Sequence, residues 1–411
     1  MRRVVISALL SIMVASKAFA FTPAEQGQGP VAKVPGIPAS LLPAYNRLAD
    51  GWSWAGHLDA ESYSNLAGGQ ARGTTANLLG QLGGRLDTGR AGLWTGGQFT
   101  LTGLGILAGA DPEGYSAALQ SPSNIYAPSR LHLYQLSFRQ QLGAGVQLRL
   151  GYDDINHYFD VVGNAENLLN SAFGFTPTIT ENVPGNGSYP YSALGALIGL
   201  HGDHWGTKLG IFQGDAQHQF THTFARGYLA LWEGGLRWGS ASGASEGEEG
   251  DDGAAYVLKL GAWHYRQPHP ELPELSPSTS GVYTVWEARR ELTQGRRLGL
   301  FLQGAAAPQT INRIPWQLAL GLRLQQPFPG RSGDSLSLGV TRSWLRSAVL
   351  RADEDLPAGP IHPAETAYEL TYVAQLRPYL SVQPDIQFIH RPQGVYPDAT
   401  AALLRVHLEF F

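Results

Sequence analysis

Trp316-Gln317-Leu318-Ala319-Leu320-Gly321-Leu322-Arg323-Leu324 puts a large apolar side chain at every even position and a small or polar one at every odd position. Successive side chains of a strand point to opposite faces, so this segment reads as a strand with one apolar and one polar face. The pattern recurs along the chain. Tyr256, Leu258, Leu260 and Ala262 alternate with Val257, Lys259, Gly261 and Trp263, and Tyr368, Leu370, Tyr372, Ala374 and Leu376 with Glu369, Thr371, Val373 and Gln375. Val146, Leu148, Leu150 and Tyr152 oppose Gln147, Arg149, Gly151 and Asp153, and Leu404, Val406, Leu408 and Phe410 oppose Arg405, His407 and Glu409. An antiparallel sandwich with one wet face alternates in the same way, so the number and order of strands must decide the fold.

Sixteen segments qualify, roughly 53–61, 76–87, 92–105, 130–142, 144–153, 192–203, 206–213, 227–239, 255–266, 282–293, 297–306, 315–327, 335–346, 365–377, 380–390 and 402–411. Their connections alternate in length. Short turns fall at 88–91, at Gly143, near His204-Trp205, at 294–296 and at 378–379, and long loops at 106–129, 154–191, 267–281 and 347–364. An even strand count with turns at one end and loops at the other is the layout of an outer-membrane barrel. The expected fold class is therefore all-β: a transmembrane antiparallel β-barrel of about 16 strands, with the long loop 154–191 folding inward as a constriction. In hydrocarbon every backbone N–H and C=O must find a partner within the protein, which a closed sheet provides. Trp52, Trp54, Trp94, Trp205, Trp232, Trp316 and Trp344 are candidates for interfacial girdles. The acidic, low-complexity stretch 240–254 falls where a short turn is expected and lacks the spacing of a calcium loop, so it reads as a solvated connection.

Composition narrows the function. Charged residues make up only 15% of the 411, and the formal net charge of -4 offers no basic surface for a phosphate backbone, so nucleic acid is excluded as a partner. Arg2 and Arg3, the apolar run Val4 to Ala15 and Ala18-Phe19-Ala20 fit a cleaved signal peptide over 1–20, followed by a Pro/Gly-rich segment 21–49 and the barrel, 50–411. Export with no cysteine leaves stability to the core and the membrane. No later stretch is apolar for long enough to span as a helix.

Period two also orients the charges. It places Gln135, Arg139, Arg149, Asp153, Lys259, Arg323 and Glu369 inside the barrel, where they suit either pore lining or ion pairs along the wall, and Arg72 is an additional choice from the first loop region. His132, His157, His204, His218, His222 and His362 are scattered, and no Gly-x-Ser-x-Gly, P-loop or dinucleotide element is present. Neither catalysis nor a metal or other cofactor is expected.

Successive blocks resemble the OprB-type carbohydrate-selective porin family. They include Ser123-Asn124-Ile125-Tyr126, Arg149-Leu150-Gly151-Tyr152-Asp153-Asp154-Ile155-Asn156, Phe159-Asp160-Val161, Leu168-Leu169-Asn170-Ser171-Ala172-Phe173-Gly174 and Gly210-Ile211-Phe212-Gln213-Gly214-Asp215, in that order. Gln383-Pro384-Asp385-Ile386-Gln387 continues the similarity toward the C-terminus. The resemblance implies a sixteen-stranded outer-membrane channel for passive diffusion of glucose and other sugars, with Asp154, Asn156, Phe159, Asp160 and Asn170 of the long loop as motif-matched site residues. It also implies outer-membrane lipids as surroundings and the barrel assembly machinery as a partner, through a last strand ending at Phe411. The apolar alternation of that strand falls one residue earlier, on Phe410, which leaves its register open. Gln135 and Arg139 stand where relatives commonly carry acids, so a more positive lumen is expected. Monomer and homo-oligomer both remain open, as do two competing readings: an outer-membrane barrel enzyme of lipase or protease type, and a secreted sugar-binding β protein.

Overall fold

The computed structural model describes residues 50–221, 223–239, 254–267, 278–353 and 356–410. The expectations for the signal peptide, for 21–49, for His222, for Phe411 and for nearly all of the acidic stretch lie outside these residues. Sixteen antiparallel strands close into one barrel. They are β1 (Trp52–Ala67), β2 (Gly73–Asp87), β3 (Gly97–Ala108), β4 (Arg130–Gln141), β5 (Val146–Asp153), β6 (Ala193–His201), β7 (Trp205–Gln213) and β8 (Tyr228–Trp238). There follow β9 (Tyr256–Arg266), β10 (Ser278–Glu291), β11 (Arg297–Ala306), β12 (Trp316–Gln325), β13 (Ser335–Trp344), β14 (Ala364–Arg377), β15 (Leu380–His390) and β16 (Ala399–Phe410). Each strand pairs with its neighbours in sequence, and β1 closes the sheet on β16 through a register running from Gly56 opposite Phe410 to Ala67 opposite Thr400. Among the described residues no strand edge is left unpaired, so the apolar belt needs no second sheet over it.

The two faces differ as the alternation predicts. On β12 the outward Leu320 is 48% exposed while the inward Ala319 is fully buried. Outward aromatics gather near both ends. Trp52 and Trp54 stack at 5.5 Å and Trp238 and Tyr256 at 5.6 Å at the end that carries the short turns, and Trp316 lies opposite Trp344 at the end that carries the long loops. Trp232 falls between these girdles at mid-strand, where its indole N–H donates to Thr207 at 2.9 Å. Phe410 points outward with Leu404 and Val406, which settles the register of β16.

Strand ends depart from the sequence reading where the apolar signal fades. β1 runs on to Ala67 because Ser62 and Ser64, though outward, still pair across to β2 and β16. The β2–β3 connection extends to Gly96, with the Thr88 hydroxyl donating to the carbonyls of Trp94 and Gly97 at 2.6 and 2.9 Å. In the tight turn between β4 and β5, Gly143 and Gly145 take φ of 126° and 79°, which a Cβ would oppose. One irregularity matters inside. The β3–β4 register skips a residue at Tyr134, so Tyr134 and Gln135 both turn inward.

Candidate functional site: the lumen and its inward loops

The connection 154–192 folds into the barrel as a series of capped turns. The Asp154 carboxylate accepts the Asn156 N–H at 2.8 Å and the Tyr134 hydroxyl, Asn170 accepts the Ala172 N–H at 3.1 Å, and Thr176 caps the turn Pro177–Thr180. Apolar packing seats it on one side of the wall. Ile155, Phe159, Phe175, Ile179 and Val183 pack on Leu197, Phe212, Leu229, Leu231, Trp263 and Tyr283, and Val162, Leu168 and Phe173 pack on Val285, Phe301 and Ala319. Small inward residues make room for it. A Cβ on Gly339 would meet Phe173 at 2.6 Å and Leu168 at 2.7 Å.

Wall carboxylates hold the loop backbone. Glu233 accepts the Asp160 N–H at 2.9 Å, Glu287 the Asn164 N–H at 2.7 Å, and Glu369 the successive N–H groups of Leu169 and Asn170, the latter at 2.9 Å. Glu365 takes the N–H groups of Leu119 and Gln120 at 2.9 and 3.0 Å from the neighbouring loop 109–129, and Glu61 takes the Ser123 hydroxyl together with Arg405. A hydrogen bond contributes about 0.5–1.5 kcal/mol net, and more where the acceptor is ionised, as beside Lys208, which lies 3.1 Å from Glu233. Ser171 N–H to Ser121 O at 2.9 Å ties the two loops together.

Asp160 is the junction of the clamp. Its φ is 58°, and its carboxyl accepts Thr176 N–H at 2.8 Å and Gln303 at 2.9 Å. Burial pushes that carboxyl up to about 8, against those two hydrogen bonds. Burial likewise raises Asp154 above its ordinary range.

Below the loop, toward the turn end, lies a cavity of about 1260 Å³. Of the residues predicted for the site, Gln135, Arg139, Arg149, Lys259 and Arg323 line it. Asp153 lies just behind, collecting Gln135 at 2.5 Å, Arg149 at 3.3 Å and the Tyr158 hydroxyl at 2.9 Å. Arg149 also lies 4.5 Å over the Tyr158 ring, Lys259 donates to Val161 O at 2.9 Å, and Arg323 pairs with Glu166. The others sit elsewhere. Asp154, Phe159, Asp160, Asn170 and Glu369 are buried in the clamp, Asn156 turns back onto Phe159 O at 3.1 Å, and Arg72 is exposed on the β1–β2 loop. Motif similarity marks residues that build the loop as readily as residues that face the lumen.

The cavity also holds residues outside the predicted site: Arg85, Lys208, Arg237, Arg289, Arg297, His57, Tyr158 and His407, together with His157, which the sequence shows only as one of several scattered histidines. For the strand residues among them the signal was available, since Lys208 alternates with the outward Trp205, Leu209 and Ile211. His157 and Tyr158 sit on the loop, where no period exists to orient them. Cations outnumber carboxylates on this surface, and among the described residues no cluster of His, Asp or Glu is arranged to hold a metal. Such a surface offers hydrogen bonds and positive potential to a polar solute.

Comparison with known proteins agrees with this architecture. A family model described as "Carbohydrate-selective porin, OprB family" matches residues 74–410. "Putative porin QuiX" of Acinetobacter baylyi is 27% identical over 174 residues, so the match spans 37% of this chain and 40% of that protein's length. The structure of Pseudomonas putida OprB at high pH superposes with a TM-score of 0.75 at 18% identity, over 89% of this chain and 96% of that one. OmpF of Salmonella typhi superposes at 0.54 with 10% identity, over 88% and 99%. A closed barrel whose apolar face turns outward, whose long loop folds inward and whose chain matches the family model almost from β2 to β16 leaves one assignment: the chain belongs to the OprB family of carbohydrate-selective porins.

Proposed function

We propose that this protein is a passive outer-membrane channel for sugars. The observation that carries the reading is the lumen itself, a polar cavity inside a closed barrel and roofed by an inward loop. Guanidinium and carboxamide groups on its wall can replace the water that a sugar hydroxyl loses, and binding stays weak enough for release. The long loops face the exterior and the turns the periplasm, as in other barrels of this kind. Residues 1–20 then serve as a cleaved signal peptide, and the C-terminal strand engages the assembly machinery. Arg139, Arg149, Lys259 and Arg323 are the wall residues placed to meet a solute, with Asp154, Asp160, Asn170 and Glu369 shaping the aperture by positioning the loop.

Single-channel recording of the purified protein in planar bilayers, with glucose titrated in, tests this. A conductance that falls saturably with sugar is expected. A folded barrel without conductance would overturn the reading and favour an enzymatic or adhesive role.

A further inference from the structure

The wall acids and the wall bases of this lumen have different fates. Glu61, Glu233, Glu287, Glu365 and Glu369 are all below 5% exposed and hold loop groups or basic partners, so little of their charge faces the solute. The bases line the open cavity, where they outnumber the carboxylates of Glu166, Glu233, Glu291 and Glu409. Arg139 on β4 and Arg149 on β5 lie directly opposite each other, both inward and both on the cavity surface. Like charges paired across two strands repel unless something between them is negative. Asp153 balances Arg149 at 3.3 Å, whereas the Arg139 side chain makes no ion pair or hydrogen bond among the described residues. Gln98 lies across from Arg139 on β3, and Gln147 lies two residues from Arg149 on the same face. Both amides line the cavity and both donate and accept, which suits hydroxyl groups.

We infer that the preferred solutes of this pore are sugar acids, polyhydroxylated molecules bearing one carboxylate, with Arg139 receiving the carboxylate and the flanking amides the hydroxyls. The inference rests on the channel reading above and names its substrate class. A guanidinium fork matches a carboxylate in two parallel hydrogen bonds, and its charge is felt most where low ionic strength leaves it unscreened.

The test uses the full-length channel in planar bilayers at low salt, with gluconate, glucose and acetate as blocking solutes and the reversal potential measured across a potassium chloride gradient. The expected result is an anion-selective reversal potential and half-block by gluconate at about one-tenth the concentration needed for glucose or acetate, the factor that one charge-assisted hydrogen bond supplies. R139Q should cut that ratio to below about threefold. The wild-type comparison needs no variant, so a failure of R139Q to fold does not spare the inference. A conducting channel blocked equally by glucose and gluconate, or equally by acetate and gluconate, overturns the sugar-acid assignment and leaves the channel standing. Absence of conductance overturns the channel reading first.

Discussion

The two ends of the lumen are built from the same alternation and end up opposite in character. Toward the loop end, inward side chains are acids and amides covered by loops, and their oxygens are occupied by backbone N–H groups, as with Glu369 and Glu365. Toward the turn end, inward side chains are bases facing an open cavity, as with Arg139 and Arg85. What an inward charge does therefore depends on its depth along the strand and on what covers it, neither of which period two encodes. The same division explains how a wide sixteen-stranded sheet supports a narrower lumen: one half is packed as an interior, the other remains solvated.

The largest expected effect comes from breaking the clamp. E369A strands two buried N–H groups and should destabilise the inward loop by about 3–5 kcal/mol. Single-channel recording should then show a larger conductance with weaker sugar block, while heat-modified migration on gels shows an intact barrel. L320R attacks the outward face instead, where a buried guanidinium at the bilayer midplane costs about 2–4 kcal/mol. Urea titration in lipid vesicles should register that loss, with channel properties unchanged in the fraction that folds. G339V is a milder attack on the packed half. The added methyl groups press on Phe173 and Leu168, which are 3% and 2% exposed, at a cost of about 1–3 kcal/mol. Protease nicking within 154–192 should increase while the strands stay protected.

A fourth effect is one of pH. Because the folded Asp160 carboxyl is raised to about 8 from 3.8, its contribution to loop stability is complete below about 3.8, falls as pH rises and is gone by about 8. Nicking of the wild-type loop should therefore rise between pH 5 and pH 9, and D160N should flatten that rise.

Much of the barrel could be read in advance because hydrocarbon imposes a strict rule on every strand. The predicted limits of β11 and β15 coincide with the observed ones, since both strands alternate without interruption between clear turns. β1 outruns its apolar alternation where its outward residues become serine, and the bulge at Tyr134 leaves no sequence signal because an inserted residue looks like an ordinary aromatic in a strand. The site was less legible. Parity placed Arg139, Arg149, Lys259 and Arg323 on the correct face, but Phe159 and Asp160 are buried by a loop fold that depends on contacts with six strands, β6 to β11. Those contacts have no local signature.

Thiol accessibility tests the division of faces most directly, because the chain contains no cysteine of its own. R139C and L320C, each recorded in a planar bilayer, should respond differently to a water-soluble methanethiosulfonate. The account predicts that the reagent reaches R139C and lowers its single-channel current in a step, while L320C carries on unmodified. Equal modification of both, or modification of R139C with no change in current, would contradict the claim that the odd-numbered face of these strands lines the path that solutes take.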